Sequence, residues 1–463
     1  MKGFTAHTLL MAGMLVSLRV NGGIIFTPLV AFNYTNGAGS QAGLVLGNDG
    51  NFYGTTTDGG TNSSSYGTIF QMTTNGILTS LVSFDNTNGA YPIAGLALGQ
   101  DGNFYGTTYT GGSSNAGTIF KMAADGTLTT LVSFAGTNGA EPQAPLTQGP
   151  GGNFYGTTQV GGINLGISDG TVLQVTTNGL LTVLVSFNGT NGAFPVSGLV
   201  LGRDGNFYGT TAGGGTNGSG YGTIFKMTTD GVLTTLISFS GTNGAFPGNN
   251  PSAGLVQGVD GNLYGTTYTG GSSNAGTVFK MTTNGAFANL YTFTSGADGA
   301  NPQSGMLQGG DGRLYGTTEA GGSNSLNKGT IFQITTNGAF ASLYSFTGGN
   351  DGAVIDGGLV LGADGDFYGT AYTAGANHYG TVFRLSVPMP PVFKTVSKTG
   401  GATLASTWTS VAGQMYQVQY TTNLIQTNWN NLGGTLSPAG GTTTTIDSIG
   451  PDPRRFYRIV LLP

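Results

Sequence analysis

Apolar and small polar residues alternate along this chain in short runs, and Asp-Gly and Asn-Gly pairs punctuate the runs. The first full set reads Gly43–Leu46 (GLVL), the turn Asn48-Asp49-Gly50, Asn51–Thr56 (NFYGTT), a polar loop, Gly67–Met72 (GTIFQM), the turn Thr74-Asn75-Gly76 and Ile77–Phe84 (ILTSLVSF). Alternation with a period of two marks a strand. Asp-Gly or Asn-Gly between such runs marks a hairpin, because tight hairpin turns need positive φ. Each set therefore predicts four short antiparallel strands, a to d.

The set repeats. NFYGTT or a near copy begins at Asn51, Asn103, Asn153, Asn206 and Asn262, and recurs as RLYGTT from Arg313 and DFYGTA from Asp366. The period of about 50 residues is that of a four-stranded propeller blade. The third unit departs from the pattern, with Gly151-Gly152 in place of Asp-Gly. The last unit runs through Gly380–Leu385 (GTVFRL), meets Pro388, Pro390 and Pro391, and has no strand d. Phe26–Phe32 (FTPLVAF) matches LTSLVSF and supplies it. The expected fold is all-β: a seven-bladed β-propeller over residues 24–386, closed by an N-terminal strand, which leaves no exposed sheet edges.

In NFYGTT, neighbouring aromatics such as Phe52 and Tyr53 point to opposite faces of the strand. Both faces of a propeller blade are covered, so both rings are expected in the core, each contributing roughly 2–3 kcal/mol. Gly54 is expected where a neighbouring sheet approaches closely. The motif thus reads as core, not as a site.

Composition adjusts this picture little. Glycine is abundant at 87 of 463 residues and charged residues are only 7 %, but 20 Tyr and 26 Phe suffice for a core. Disordered chains are usually charge-rich and aromatic-poor. The formal net charge is −5, with the acidic residues concentrated before residue 390 and Lys394, Lys398, Arg454, Arg455 and Arg458 making the C-terminal part basic. No basic patch interleaves with aromatics in the repeats, which argues against nucleic acid as a partner. The chain has no cysteine, which removes disulfides, thiolate chemistry and Cys-ligated metals. Lys2 followed by Leu9–Leu18 (LLMAGMLVSL) predicts a signal peptide over residues 1–22, too short to span a bilayer. No transmembrane segment is expected, and the protein is expected to be secreted or on the cell surface, as a monomer.

The a–b and c–d turns are tight and nearly constant, whereas the b–c and d–a links are longer and vary. Up-and-down blades put the two long links on one face, which becomes the default binding face. Directly after YGTT stand Thr57, Tyr109, Gln159, Ala212, Tyr268, Glu319 and Tyr372. The b–c loops add Tyr66, Tyr221, His378 and Tyr379, and the d–a loops place Tyr91, Glu141 and Phe194 before a proline. Tyrosine amid Asn, Ser and Thr suits sugar stacking or protein contact. The expected ligand-binding residues are Tyr66, Tyr109, Gln159, Tyr221, Tyr268, Glu319, Tyr372, His378 and Tyr379; the competing reading is that the tyrosines simply roof the blade ends.

No catalytic constellation emerges. His7 and His378 are the two histidines, and no G-x-S-x-G elbow accompanies them. Asp49, Asp101, Asp204, Asp260, Asp311 and Asp364 sit in hairpin turns, where turn geometry explains them. Glu141, Glu319 and Asp356 remain near the long-loop face and do not make a convincing catalytic pair. No metal site and no cofactor is expected.

After a Pro-rich linker at residues 387–391 the pattern changes. STWTSV, MYQVQYTT, WNNLGG, TTTTID and RFYRIVLL read as strands of a small β-sandwich over residues 392–463, with Trp408 and Tyr416 in its core. The DGNFYGTT…GTIFKMTTDG…LTTLVSF unit resembles the GloVer (Gloeobacter–Verrucomicrobia) tandem repeat of large bacterial secreted proteins. The C-terminal part, with YQVQYTTNL and RFYRI, resembles the fibronectin-III-like module at the ends of such proteins. The resemblance implies export and a propeller-like fold, and brings no catalytic residues. The expected function is noncatalytic extracellular binding or adhesion, to glycan or to a surface protein. The alternatives are a polysaccharide-active hydrolase or lyase on a propeller scaffold, and a structural module of an extracellular matrix.

Overall fold

The hairpin glycines take the left-handed backbone that their position asks for, with φ +79° at Gly50 and +88° at Gly76. The strands they join form as the alternation predicts. In the computed structural model, residues 23–61, 65–162, 169–216, 220–241, 248–387, 391, 393–400, 403–410, 414–422, 428–438, 441–448 and 455–462 are described. The expected signal peptide lies outside the described residues. The chain divides into a repeat unit, Ile24–Val387, and a C-terminal unit from Pro388 to Pro463.

The repeat unit opens with β1 (Ile25–Ala31), followed by β2 (Val45–Leu46), β3 (Phe52–Thr56), β4 (Thr68–Met72) and β5 (Leu78–Ser83). Strands β2 to β5 make one antiparallel sheet in sequence order, and the pattern recurs in the next five repeats. Strand a is shorter than the alternation suggests, two residues in each unit. In the third unit Pro150–Gly152 forms a short 3-10 turn where the others have Asp-Gly.

β1 does not join the first sheet. It pairs antiparallel with Thr381–Ser386 of the last repeat, with Phe26 opposite Leu385 and Thr27 opposite Arg384. The register slips between Pro28 and Val30, bypassing Leu29. Each complete unit shows the same slip between strands c and d, as at Ile69/Phe70. β1 therefore stands in the last sheet as a fourth strand of the ordinary kind.

Packing follows the two faces of strand b. Tyr53 meets Phe104 of the next unit at 4.0 Å between ring centroids, and Phe52 meets Tyr368 of the last unit at 4.2 Å. The same contact recurs as Tyr105–Phe154, Tyr155–Phe207 and Tyr315–Phe367. Thr55 Oγ1 donates to the Ala94 carbonyl of the following unit, and Thr370 Oγ1 donates to Ala42 at 2.8 Å. Sheets of consecutive units thus pack face to face, and the last unit packs on the first.

Two details differ from the sequence reading. A Cβ on Gly54 would meet Phe70 Cζ at 2.5 Å and Leu44 Cδ2 at 2.7 Å, both in its own repeat. The glycine makes room for a ring of its own sheet, not for a neighbouring sheet. The turn aspartates also do more than shape turns. Asp101 accepts the Tyr105 hydroxyl at 2.8 Å and lies 3.3 Å from Lys121 Nζ. Burial works to raise its pKa, but hydrogen bonds from Asn103 and Tyr105 outweigh burial and hold it at about 2. Where the third unit lacks the aspartate, Gln174 Nε2 donates to the Tyr155 hydroxyl at 2.6 Å instead.

The C-terminal unit has two three-stranded sheets. One orders Phe393–Gly400, Thr403–Ser410 and Gly441–Ser448; the other orders Asn430–Asn431, Met415–Thr421 and Phe456–Leu462. The strand Phe393–Gly400 was not among the runs read from the sequence. Trp408 and Tyr416, both fully buried, meet edge to face at 5.0 Å in a core shared by the two sheets with Val418 and Ile459. Asp447 clamps the sheets, accepting from Arg455 Nη1 and, at 2.7 Å, from the Tyr457 hydroxyl.

Candidate functional site

The long links of the repeat unit are stitched to one another. At the same place in every d–a link a residue adopts positive φ: Gly39, Tyr91, Glu141, Phe194, Asn250, Asn301 and Val354, all between +54° and +66°. Each donates its N–H to the b–c loop of one unit and accepts from the residue after YGTT in the next. Thus Tyr91 N donates to Tyr66 O at 2.9 Å, and Tyr109 N donates to Tyr91 O at 3.0 Å. This conformation is unfavourable for residues other than glycine and asparagine, and most so for β-branched Val354. The repeated bonds hold it in place and tie the described parts of neighbouring long links together along one rim.

The sequence-predicted residues fall into separate groups on this rim. Tyr109 donates to Glu141 Oε2 at 2.9 Å. Gln159 is hydrogen-bonded to Gln143. Tyr66 packs edge-on against Tyr91 at 5.8 Å and rests on the hydrophobic cluster beneath it. Tyr221 likewise rests on the cluster below its own unit. These last two cover the blade ends. His378 is exposed, and Tyr379, 40 % exposed, lies 5.2 Å from Tyr34.

Tyr268 and Glu319 come together, and Tyr372 lies within the field of the next acid along the rim. The Tyr268 hydroxyl donates to Glu319 Oε2 at 2.7 Å, 51 residues further on. Asn301 Nδ2 fixes the Tyr268 carbonyl at 3.0 Å. Next in order is Asp356, half-buried, with Oδ1 enclosed and without a hydrogen-bond partner among the described residues. Burial, and then the negative charge of Glu319, push the Asp356 carboxyl up to about 7. Burial and bonding to Glu319, with the charge of Asp356 beyond, push Tyr268 up to about 12. The Tyr372 hydroxyl is raised by burial and by the charges of Asp58 and Asp356, and Asp58 is itself raised by burial. Two tyrosines and three carboxylates of neighbouring repeats thus share one electrostatic environment.

Asp58 was missed as a member of this group, and Asp356, placed near the long-loop face with Glu319, was not counted among the binding residues, though a signal was present. Asp356 stands where the other repeats carry Gln41, Ile93, Gln143, Val196, Ser252 and Gln303, and Asp58 where they carry Thr110, Val160, Gly213, Thr269, Ala320 and Thr373. An acid that departs from the repeat at a rim position is the mark to look for. Among the described residues no group of three or more His, Asp or Glu is placed to hold a metal ion. A shallow hollow beside β1, lined by Pro28, Leu29, Val30, Ala31, Asn350 and Ala376, carries no titratable side chain and lies apart from this chemistry.

Asp356 makes a measurable prediction. Its folded-state pKa lies above the ordinary carboxylate value of roughly 3.9. The folded state therefore holds the proton more tightly, an advantage fully present below about pH 4 and lost as pH rises towards 7. Asp356→Asn should unfold like the parent at pH 4 and be more stable by on the order of 2 kcal/mol at pH 8, after discounting for partial exposure. Denaturant unfolding at the two pH values checks this; a variant equally shifted at both would refute it.

A family model for the Gloeobacter/Verrucomicrobia repeat matches residues 3–199 and 246–446. The chain belongs to the Gloeobacter/Verrucomicrobia repeat family. The match runs beyond the repeats into the C-terminal unit, further than the repeat motifs suggested. No curated protein matches the chain. Among solved structures, the chain is similar to one assigned as the extracellular domain of a hybrid two-component system of B. thetaiotaomicron, with 12 % identity and a TM-score of 0.52. The alignment covers 94 % of this chain and 55 % of that one, so the family member spans about half the neighbour's length. A gluconolactonase of Xanthomonas campestris aligns at 12 % identity and TM-score 0.40, over 64 % of this chain and 86 % of that one. A protein assigned as a 6-phosphogluconolactonase of Bacteroides uniformis aligns at 14 % identity and 0.44, over 84 % and 97 %. The first of these similarities supports a propeller-like all-β fold. Among the described residues no helix is long and apolar enough to cross a membrane.

Proposed function

We propose that this family member is an exported, noncatalytic binding protein whose seven sheets close into a seven-bladed propeller, and that the rim of long loops contacts glycan. One observation carries the reading. The Tyr268 hydroxyl is bonded to Glu319 of the next repeat, and in the repeat after that Asp356 feels the charge of Glu319 and Tyr372 that of Asp356, so this stretch of the rim offers tyrosine rings and carboxylates that can accept from sugar hydroxyls. Tyr109 with Glu141 repeats the tyrosine–carboxylate pairing further round. The packing of Phe52 on Tyr368 supports closure. The Lys2 and Leu9–Leu18 pattern supports export, and the shared core of Trp408 and Tyr416 supports a fibronectin-III-like C-terminal module.

A glycan array tests the function. The full chain should bind a restricted set of glycans, and the triple variant Tyr109→Ala, Tyr268→Ala, Tyr372→Ala should lose at least tenfold in affinity while keeping the circular dichroism spectrum of the folded chain. Tyrosine stacking and a hydroxyl hydrogen bond together are worth roughly 1–2 kcal/mol per residue. Unchanged binding by the triple variant would rule out the rim.

A second reading, a polysaccharide-active enzyme, is favoured by the carboxyl of Asp356 at about 7 beside Glu319. A general acid works best with a pKa near the working pH. In that case a polysaccharide panel should give cleavage products with the purified chain, and Glu319→Gln should abolish them.

A further inference from the structure

The C-terminal unit differs in charge from the rest of the chain. Between residues 388 and 463, Lys394, Lys398, Arg454, Arg455 and Arg458 face only Asp447 and Asp452, in a protein that is acidic overall. Arg455 is taken up by the Asp447 clamp inside the unit. Arg458 is used differently. It stands opposite Gln419 on the strand pair Met415–Thr421 and Phe456–Leu462, and Gln419 stands opposite Asn431. Side chains alternate along a strand, so these groups occupy the face opposite Val418 and Ile459, away from the core.

There the Arg458 guanidinium lies over the Trp429 ring, 4.4 Å from its centroid. Its Nε donates to Gln419 Oε1 at 2.8 Å, and Gln419 Nε2 donates to Asn431 Oδ1 at 2.8 Å. Stacking and one hydrogen bond fix the plane of the guanidinium. Its two terminal NH2 groups have no partner among the described residues. Burial lowers its pKa, and no carboxylate among the described residues offsets that cost. A guanidinium held flat by an indole, with its outer fork unpartnered among the described residues and amides beside it, is built to take a planar oxyanion in two parallel hydrogen bonds. The neighbouring amides suit hydroxyl groups around that anion. Nucleic acid would instead call for a row of phosphate contacts, and a single fixed fork flanked by amides is a sugar-acid arrangement.

We infer that Trp429, Arg458, Gln419 and Asn431 form a second binding site, for acidic polysaccharide, recognising a carboxylate or sulfate carried on a sugar. It is separate from the propeller rim and does not rest on the function proposed there. Its consequence is retention: the C-terminal unit holds the protein on an anionic matrix.

Affinity electrophoresis of the full chain through gels containing polyuronate, sulfated dextran or neutral dextran tests this. Retardation is expected in one or both anionic gels and not in the neutral one, and the gel that retards more tells carboxylate from sulfate. Arg458→Gln should weaken retention about tenfold or more, as befits loss of charge-assisted hydrogen bonds. Arg458→Lys should restore only part of it, because an ammonium neither forks nor stacks in the same way. Asn431→Asp, on an exposed residue that leaves the stack intact, should weaken retention to a similar degree by repelling the anion, and keeps the test open should Arg458→Gln fold poorly. The rim triple variant should be retained like the parent. Equal retention of Arg458→Gln and the parent would overturn the proposal. So would retention in the neutral gel, or an equally large loss from Lys394→Gln with Lys398→Gln.

Discussion

Removing residues 1–32 should leave a chain that fails to fold cooperatively, whereas removing residues 1–23 should leave stability unchanged. The difference is β1. Phe26 stacks on Tyr344 at 4.1 Å and packs edge-on against Phe346 and at 5.2 Å against Phe383. Phe32 is fully buried and meets Phe70 of the first repeat at 5.4 Å. Leu29, bypassed by the register slip, lies against Gly76 of the first repeat. With Val30, four apolar side chains that are buried or partly buried are removed, at roughly 2 kcal/mol each. The total of about 8 kcal/mol is comparable to the whole stability of a typical domain. The strand Thr381–Ser386 would also be left as a bare edge open to aggregation. Circular dichroism melting and size-exclusion chromatography of the two truncations decide the matter, and similar melting of both would refute it. A complementary variant works in the other direction. Thr27→Cys with Arg384→Cys places two thiols at paired positions in a chain with no other cysteine. Oxidation should then stabilise the fold by about 2–4 kcal/mol, reversibly with reductant.

That pairing could be read from the sequence because the repeat is nearly perfect and its last copy is short of one strand. The aromatic core could be read for the same reason: Phe52 and Tyr53 recur in one spacing, and alternation alone sends them to opposite faces. What could not be read depends on which repeats become neighbours. Glu319 follows Tyr268 by 51 residues, and nothing local joins them. Only the repeat period sets the residue after one YGTT beside that after the next. Asp58 and Asp356 were harder still, because each is an exception within its column of the repeat. The left-handed backbone at Tyr91, Glu141, Phe194 and Val354 was hidden by side chains that do not advertise it. There the inter-loop hydrogen bonds override local preference. The hydroxyl of the YGTT tyrosine was hidden too in the repeats that carry a turn aspartate, since its acceptor, as with Tyr53 and Asp49, looked fully explained by the turn.

Three glycines of the sixth repeat should give sharply different results when changed to alanine. Gly310 has ordinary φ and nothing within 4 Å of an added Cβ. Gly310→Ala should be neutral or stabilise slightly, by up to about 0.5 kcal/mol, through reduced freedom of the unfolded chain. Gly312 also has open space but lies at φ +81°. Gly312→Ala should cost about 1–2 kcal/mol, the penalty of a Cβ in the left-handed region. Gly329 combines φ +96° with a Cβ position 2.3 Å from the Thr318 carbonyl oxygen and 3.0 Å from that of Glu319. Backbone on that side cannot withdraw, because Thr318 pairs with Thr330 across strands b and c and the Glu319 N–H is bonded to Asn301 O. The Gly329 carbonyl also accepts from Phe346 N, so moving the glycine itself breaks the c–d register. Gly329→Ala should therefore cost about 4 kcal/mol or more, in the range reserved for strain at a special backbone position. Chemical denaturation of the three variants checks the order, and a Gly329→Ala no worse than Gly312→Ala would show that the strand can yield. Because the colliding carbonyls belong to Thr318 and Glu319, any yielding is transmitted to the Glu319–Tyr268 hydrogen bond. A Gly329→Ala protein that folds should then show a weakened rim as well as a weakened sheet, while Gly312→Ala, in the tight turn between strands a and b, should leave the rim unaffected.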